Sequence, residues 1–247
     1  MTKQLMIYER AVPINAQAHA NWSVKAGDSY AFARDVNSVP IVAAEFSAAA
    51  LEYAIIFAGE GEVVFPSVIL GMRDGENAHV DATGRWTGRY VPAFLRRYPF
   101  VFASSKDGET FTLCIDEEYE GLNDEGRGER LFDADGNRTQ YLENMLRFTS
   151  EYQGQFKRTE AFARKLLELD LLEPAQAQFN LPDGERTQLA GFKTINRDKL
   201  RNLPAETLSD MAKRDELELC YLHLQSLNNL TPMTQRVTAA NTPEPAM

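Results

Sequence analysis

The sequence predicts an α+β fold, with a mainly antiparallel β-sheet in the N-terminal half packed with C-terminal helices. Three observations carry this. Short apolar runs of strand length, separated by Gly, Pro and Asp turn signals, fill the first part of the chain. Apolar residues recur at helical spacing from about Thr139 onward. A regular β-α alternation is absent, which argues against a doubly wound sheet. The expected organisation is a β-rich part over 1–138 and a helix-rich part over 139–230 packed into the same domain. A disordered tail over 231–247, rich in proline, would follow.

Taken in order, Val39 to Val42 and Ala54 to Phe57 read as strands, with a short Ala-rich helix between them over Glu45 to Tyr53. Val63 to Phe65 and Val68 to Gly71 flank Pro66, which points to a bend or an edge position. Asp81-Ala-Thr-Gly84 is a hairpin turn between Ala78-His-Val80 and Arg85-Trp86. A second hairpin joins Phe100-Val-Phe102 to Phe111–Ile115 through Lys106-Asp-Gly108. Glu117 to Arg130 reads as a charged surface loop, and Asp133-Ala-Asp-Gly-Asn137 as a tight turn. Tyr141, Met145, Leu146 and Thr149 mark one helix. A second is expected from Thr159 as N-cap to about Leu171, stopped by Pro174. A polar loop, a returning strand over Leu189 to Ile195, a cap at Asn196 or Asp198 and a helix started by Pro204 come next. The last helix spans about Asp215 to Asn229, with a stripe of Leu217, Cys220, Tyr221, Leu224 and Leu227.

Composition narrows the class. Hydrophobic residues make up 44% of 247, enough for a core and too many for a disordered chain. A net charge of -10 argues against nucleic acid and anionic membranes as partners, since both require a basic face. No apolar run approaches the roughly 18–20 residues of a membrane span. The N-terminal residues lack a secretory pattern, and two distant cysteines, Cys114 and Cys220, suit a reducing compartment. The expected location is cytoplasmic.

The candidate site residues start with Arg85, Arg89, Arg96 and Arg97, a stretch without an acid in which Trp86, Tyr90 and Tyr98 are interleaved. Guanidinium forks bind carboxylates in a bidentate manner, and aromatic faces stack on ligands or on the guanidinium itself. The same arginines also suit internal pairing with the acidic window that follows, where eleven Asp or Glu lie between Asp107 and Asp135. If the segment is extended, alternation points Arg96 and Arg97 apart. His19 with Trp22 is a second candidate. His19, His79 and Asp81 form a distant metal alternative of the two-histidine, one-carboxylate type. Cys114 reads as a buried thiol, and Asp133 to Asn137 is too short for a calcium loop. Nucleophile-elbow, phosphate-loop and dinucleotide motifs are missing, so the reading favours binding over catalysis and expects no cofactor. A peptide, a protein or a small carboxylate is the expected partner, and a homo-oligomer remains open.

Several motifs together resemble the SapC family of bacterial proteins. They include His19-Ala-Asn-Trp-Ser-Val24, Tyr30-Ala-Phe-Ala33, Val39-Pro-Ile41 and Glu45-Phe46. Tyr90-Val-Pro-Ala93 with Arg96-Arg-Tyr-Pro-Phe100 is the most specific part, and Cys114-Ile-Asp116 and Gly191-Phe192 extend the match. The resemblance covers nearly the whole chain. It implies an accessory or binding protein, carries no catalytic residue set, and through the family's name suggests a surface-layer or assembly component as an alternative. A metal-dependent oxygenase is the other alternative.

Overall fold

The computed structural model describes residues 7–25, 27, 29–105, 110–180, 184 and 186–234. The expected α+β class is what it shows, with antiparallel sheets and helices. The elements are β1 (Ala11–Pro13), α1 (Ala16–His19), β2 (Ser23–Val24), β3 (Ser38–Pro40), α2 (Phe46–Ala49), β4 (Ile55–Glu60), β5 (Val63–Ile69), α3 (Ala93–Arg96) and β6 (Phe100–Ser104). They continue with β7 (Phe111–Asp116), β8 (Leu122–Asn123), β9 (Glu129–Arg130), α4 (Gln140–Glu168), β10 (Leu172–Asn180), β11 (Arg186–Ile195), α5 (Arg197–Arg201), α6 (Ala205–Lys213) and α7 (Glu216–Ser226).

Two compact units form, each from two separated segments: Met1–Asp28 with Leu95–Gly154, and Ser29–Phe94 with Gln155–Met247. The first holds two three-stranded sheets, ordered β1-β7-β6 and β8-β2-β9. Its core gathers Val24, Phe100, Ile115, Leu131, Phe132 and Leu142. The second holds a five-stranded sheet ordered β10-β11-β4-β5-β3. There Phe46 and Phe57 meet Phe162 at ring distances of 6.2 and 6.4 Å.

Three expectations are corrected by hydrogen-bond bookkeeping. Pro66 makes no bend, and β5 runs straight through it. Because the Ile69 amide bonds Ala54 O, alternation makes Phe57↔Pro66 a non-hydrogen-bonded pair, so the proline costs no bond to β4. Pro174 likewise does not break the chain. It lies in edge strand β10, opposite Lys193 in a pair of the same kind, and replaces the expected loop with a long hairpin. Thr159 caps nothing: its hydroxyl donates to Gln155 O (2.7 Å) inside one continuous α4 and accepts the buried Ala43 amide (2.8 Å). α4 starts with Thr139 Oγ1 accepting the Leu142 amide (3.4 Å). It ends at Asp170, whose φ of +52° lets the Leu171 amide reach Leu166 O.

The remaining expectations fare unevenly. Asn196 caps α5 through the Lys199 amide, and α6 follows Pro204. On α7 the buried stripe is Leu219, Cys220, His223 and Ser226, while Tyr221 is exposed. Residues 230–234 stay helical and Met233 is buried; the rest of the expected tail, from 235, lies outside the described residues, as do Lys106-Asp-Gly108 and Leu181 to Asp183. No helix among the described residues is long and apolar enough to cross a membrane.

Candidate functional site

The segment from Asn77 to Ala93, in the second unit, is irregular backbone held in place by side chains. Asn77 is buried and spans two strangers: its Nδ2 donates to Ala33 O and its Oδ1 accepts the His79 amide (both 2.9 Å). Asp81 turns the chain, its Oδ1 accepting from the amides of Thr83 and Arg85 and from the Thr83 hydroxyl. The Thr83 hydroxyl bond, then the Arg85 amide, holds that carboxyl below its usual range. The turn brings Trp86 back onto buried His79, stacked at 5.5 Å, while Tyr53 meets the imidazole edge-on at 4.9 Å.

Beyond Trp86 the backbone is pinned from both sides. Tyr90 O accepts from Trp86 Nε1 (3.1 Å) and from the Tyr53 hydroxyl. Glu52 Oε2 accepts the amides of Arg89 (2.8 Å) and Tyr90 (3.2 Å). Buried Glu45 accepts from the Tyr90 hydroxyl and the Ala93 amide through Oε1, and from the Val42 amide through Oε2. Gly88 is required for this closeness. A Cβ there would lie 2.7 Å from Trp86 Nε1 and 2.8 Å from Tyr53 Oη.

The result is an exposed Arg89 side chain on a fixed backbone. It lines a cleft of about 270 Å³ together with Glu52 and His79, and Leu51, Asn229, Pro232 and Met233 complete the wall. No ion pair to the Arg89 guanidinium is found among the described residues. Leu51 is 83% exposed beside it, an apolar surface at the rim. Asn229 donates both Nδ2 hydrogens, to Ala50 O (2.8 Å) and Tyr53 O (2.9 Å). Chemically, the cleft is lined by a guanidinium fork, a carboxylate, an imidazole, a side-chain amide and an apolar edge.

The rest of the basic stretch belongs to the first unit and is helical rather than extended, yet Arg96 and Arg97 still part company. Ala93–Arg96 is a helical turn. Arg96 is exposed with its guanidinium 5.4 Å from the Phe148 ring, whereas Arg97 is only 2% exposed. Arg97 sits between Tyr152 (4.8 Å) and Tyr8 (5.8 Å). Burial pushes the Tyr8 hydroxyl up to about 12 despite the opposing pull of Arg97. Tyr98 bonds buried Asp116 (3.3 Å), and burial followed by the Asp116 charge raises its pKa. Asp116 also accepts the amides of Glu9 and Arg10 (both 2.9 Å).

His19 is buried with both ring nitrogens engaged. Nδ1 faces both the Asn15 amide (3.3 Å) and Asn15 O (3.2 Å), Nε2 donates to the Glu117 carboxylate (3.3 Å), and Glu117 in turn holds Arg10 at 2.8 Å. Trp22 lies against its edge at 6.0 Å. Among the described residues no group of three His, Cys, Asp or Glu gathers as a metal would need, so His19, His79 and Asp81 are not brought together as a set. Asp81 is moreover spent on its turn. Cys114 is buried with its thiol pKa raised by desolvation. Asp133 accepts the amides of Asp135 and Asn137, the expected tight turn.

Sequence reasoning missed Glu52, Leu51, Asn229 and Met233, which no spacing connects. Gly88, directly before Arg89, was the one available signal. No curated protein and no solved structure matches the chain. The SapC family model matches residues 14–233, nearly the whole of it. The chain belongs to the SapC family.

Proposed function

We propose that this chain is an accessory binding protein that takes a carboxylate-bearing partner, a peptide or a small organic acid, at Arg89. One observation carries the reading: Arg89 projects into a cleft from a backbone that Glu52, Trp86 and Tyr53 immobilise, and no ion pair to it is found among the described residues. Preorganised guanidinium reduces the ordering cost of binding a carboxylate. Arg85, exposed in the same unit, adds positive charge, while Trp86 and Tyr90 serve as supports. The overall charge of -10 disfavours nucleic acid, and two buried thiols suit a cytoplasmic setting.

The test is calorimetric titration of the full chain with matched short peptides bearing free or amidated C-termini. Free-acid peptides should bind and amidated ones should not. Arg89→Ala should weaken binding at least roughly tenfold, as expected for a charge-assisted bond, with an unchanged melting temperature. Equal binding of the two peptide sets sinks the reading.

A further inference from the structure

We infer that the ligand of the Arg89 cleft carries an N–H donor beside its carboxylate and a short apolar side chain, the chemistry of an amino-acid residue at a free carboxyl end. This rests on the carboxylate reading above and adds a second recognition group to it. Asn229 supplies that group. Its two Nδ2 hydrogens go to Ala50 O and Tyr53 O, both backbone carbonyls that only accept, so the amide cannot be flipped. Oδ1 is therefore the atom that Asn229 offers to the cleft it lines, and no donor to it is found among the described residues. A carboxylate alone does nothing for an acceptor, and a second acceptor brought against it costs binding. The site asks for a hydrogen-bond donor there.

Size and polarity narrow the rest. The cleft, about 270 Å³, lies below the roughly 300–1,000 Å³ of pockets for drug-sized molecules, so it holds about one residue. Leu51, Pro232 and Met233 give the wall an apolar part beside the polar Glu52 and His79, and that part suits an aliphatic side chain. A peptide C-terminus and a free amino acid share this chemistry.

Four probes separate the alternatives on the full chain, with binding measured by calorimetry. N-acetyl-leucine has the carboxylate and the N–H, leucine has both with an ammonium, 4-methylpentanoate lacks the N–H, and N-acetyl-leucinamide lacks the carboxylate. N-acetyl-leucine or leucine should bind more tightly than 4-methylpentanoate by roughly fivefold, the scale of one neutral hydrogen bond. Whichever of the two is tighter identifies a peptide end or a free amino acid as the source. Asn229→Ala should bring 4-methylpentanoate level to within about twofold. If 4-methylpentanoate binds wild type equally well, the inference falls while the carboxylate reading stands. If N-acetyl-leucinamide matches N-acetyl-leucine, or none binds, the carboxylate reading itself falls. Should Asn229→Ala melt early from loss of its two carbonyl contacts, the wild-type ratio alone decides.

Discussion

Arg89 and Arg97 come from one basic stretch and meet opposite fates. Arg89, in the second unit, is exposed at a cleft with its backbone amide tied to Glu52. Arg97, in the first, is 2% exposed between two tyrosine rings. Charge density along a chain does not say which arginine faces out. A buried guanidinium needs an aromatic or acidic shell to replace its water, and Tyr8, Tyr98, Tyr152 and Asp116 are all in the first unit. Segment 86–93 is instead held by buried Glu45 and half-buried Glu52, which accept its backbone amides, and its arginine is left in solvent. The same composition thus buries one arginine inside the first unit and leaves the other exposed at a cleft of the second.

The largest expected effect is the sharpest way to break that contrast. Arg97→Ala should destabilise the first unit by about 3–5 kcal/mol, the cost of truncating a buried charged group and stranding its partners. Arg89→Ala should stay within about 0.5 kcal/mol. Urea unfolding followed by tyrosine and tryptophan signals measures both. An Arg97→Ala chain as stable as wild type would show that burial there is incidental.

The second unit buries a polar group of its own, and its pH dependence tests whether burial or charge is what stabilises. His223 is fully buried, and its Nε2 accepts the Ile195 amide (3.1 Å), so it is neutral. Burial pushes its pKa down from 6.5 to about 4. Between those values the unfolded chain binds the proton and the folded one does not. The stabilisation is therefore complete above pH 6.5 and is lost as pH falls toward 4, about 3 kcal/mol in all. Urea midpoints at pH 7 and pH 5 should differ more for wild type than for His223→Gln, which cannot titrate. Parallel pH dependences would remove His223 as the cause.

How much of this was legible follows from the kind of signal each part leaves. The α+β class came through because strand-length runs and 3.6-residue periodicity are local. The β10 strand did leave an alternation, Ala175, Ala177 and Phe179 against Gln176, Gln178 and Asn180, but alanines make it faint and Pro174 looked like a stop. Whether a proline breaks a strand depends on which neighbour its nitrogen faces, and that is set by pairing register. Thr159 gave a false cap because a hydroxyl can serve a distant amide as readily as its own helix. The site was half visible. Arg89, Trp86 and Tyr90 stood in a marked motif, whereas Glu52 and Asn229 are single polar residues whose meaning arises only when α2 and the chain after α7 meet.

The smallest effect joins the two sides of the comparison, because Glu45 is buried like Arg97 yet holds the backbone that presents Arg89. In Glu45→Gln the carboxamide keeps one acceptor oxygen but turns an NH2 toward a donor, either the Val42 amide or the Tyr90 and Ala93 pair. At least one buried donor is left unsatisfied, which costs about 1–3 kcal/mol. The loss should fall on the segment after Gly88 as well as on global stability, since Tyr90 and Ala93 directly follow Arg89 in that segment. Carboxylate binding should therefore weaken by a few-fold with Arg89 still present, while amide hydrogen exchange at Tyr90 and Ala93 accelerates. Unchanged affinity alongside reduced stability would mean that Glu52 alone fixes the arginine, and that Glu45 belongs with Arg97 among the residues that only build the fold.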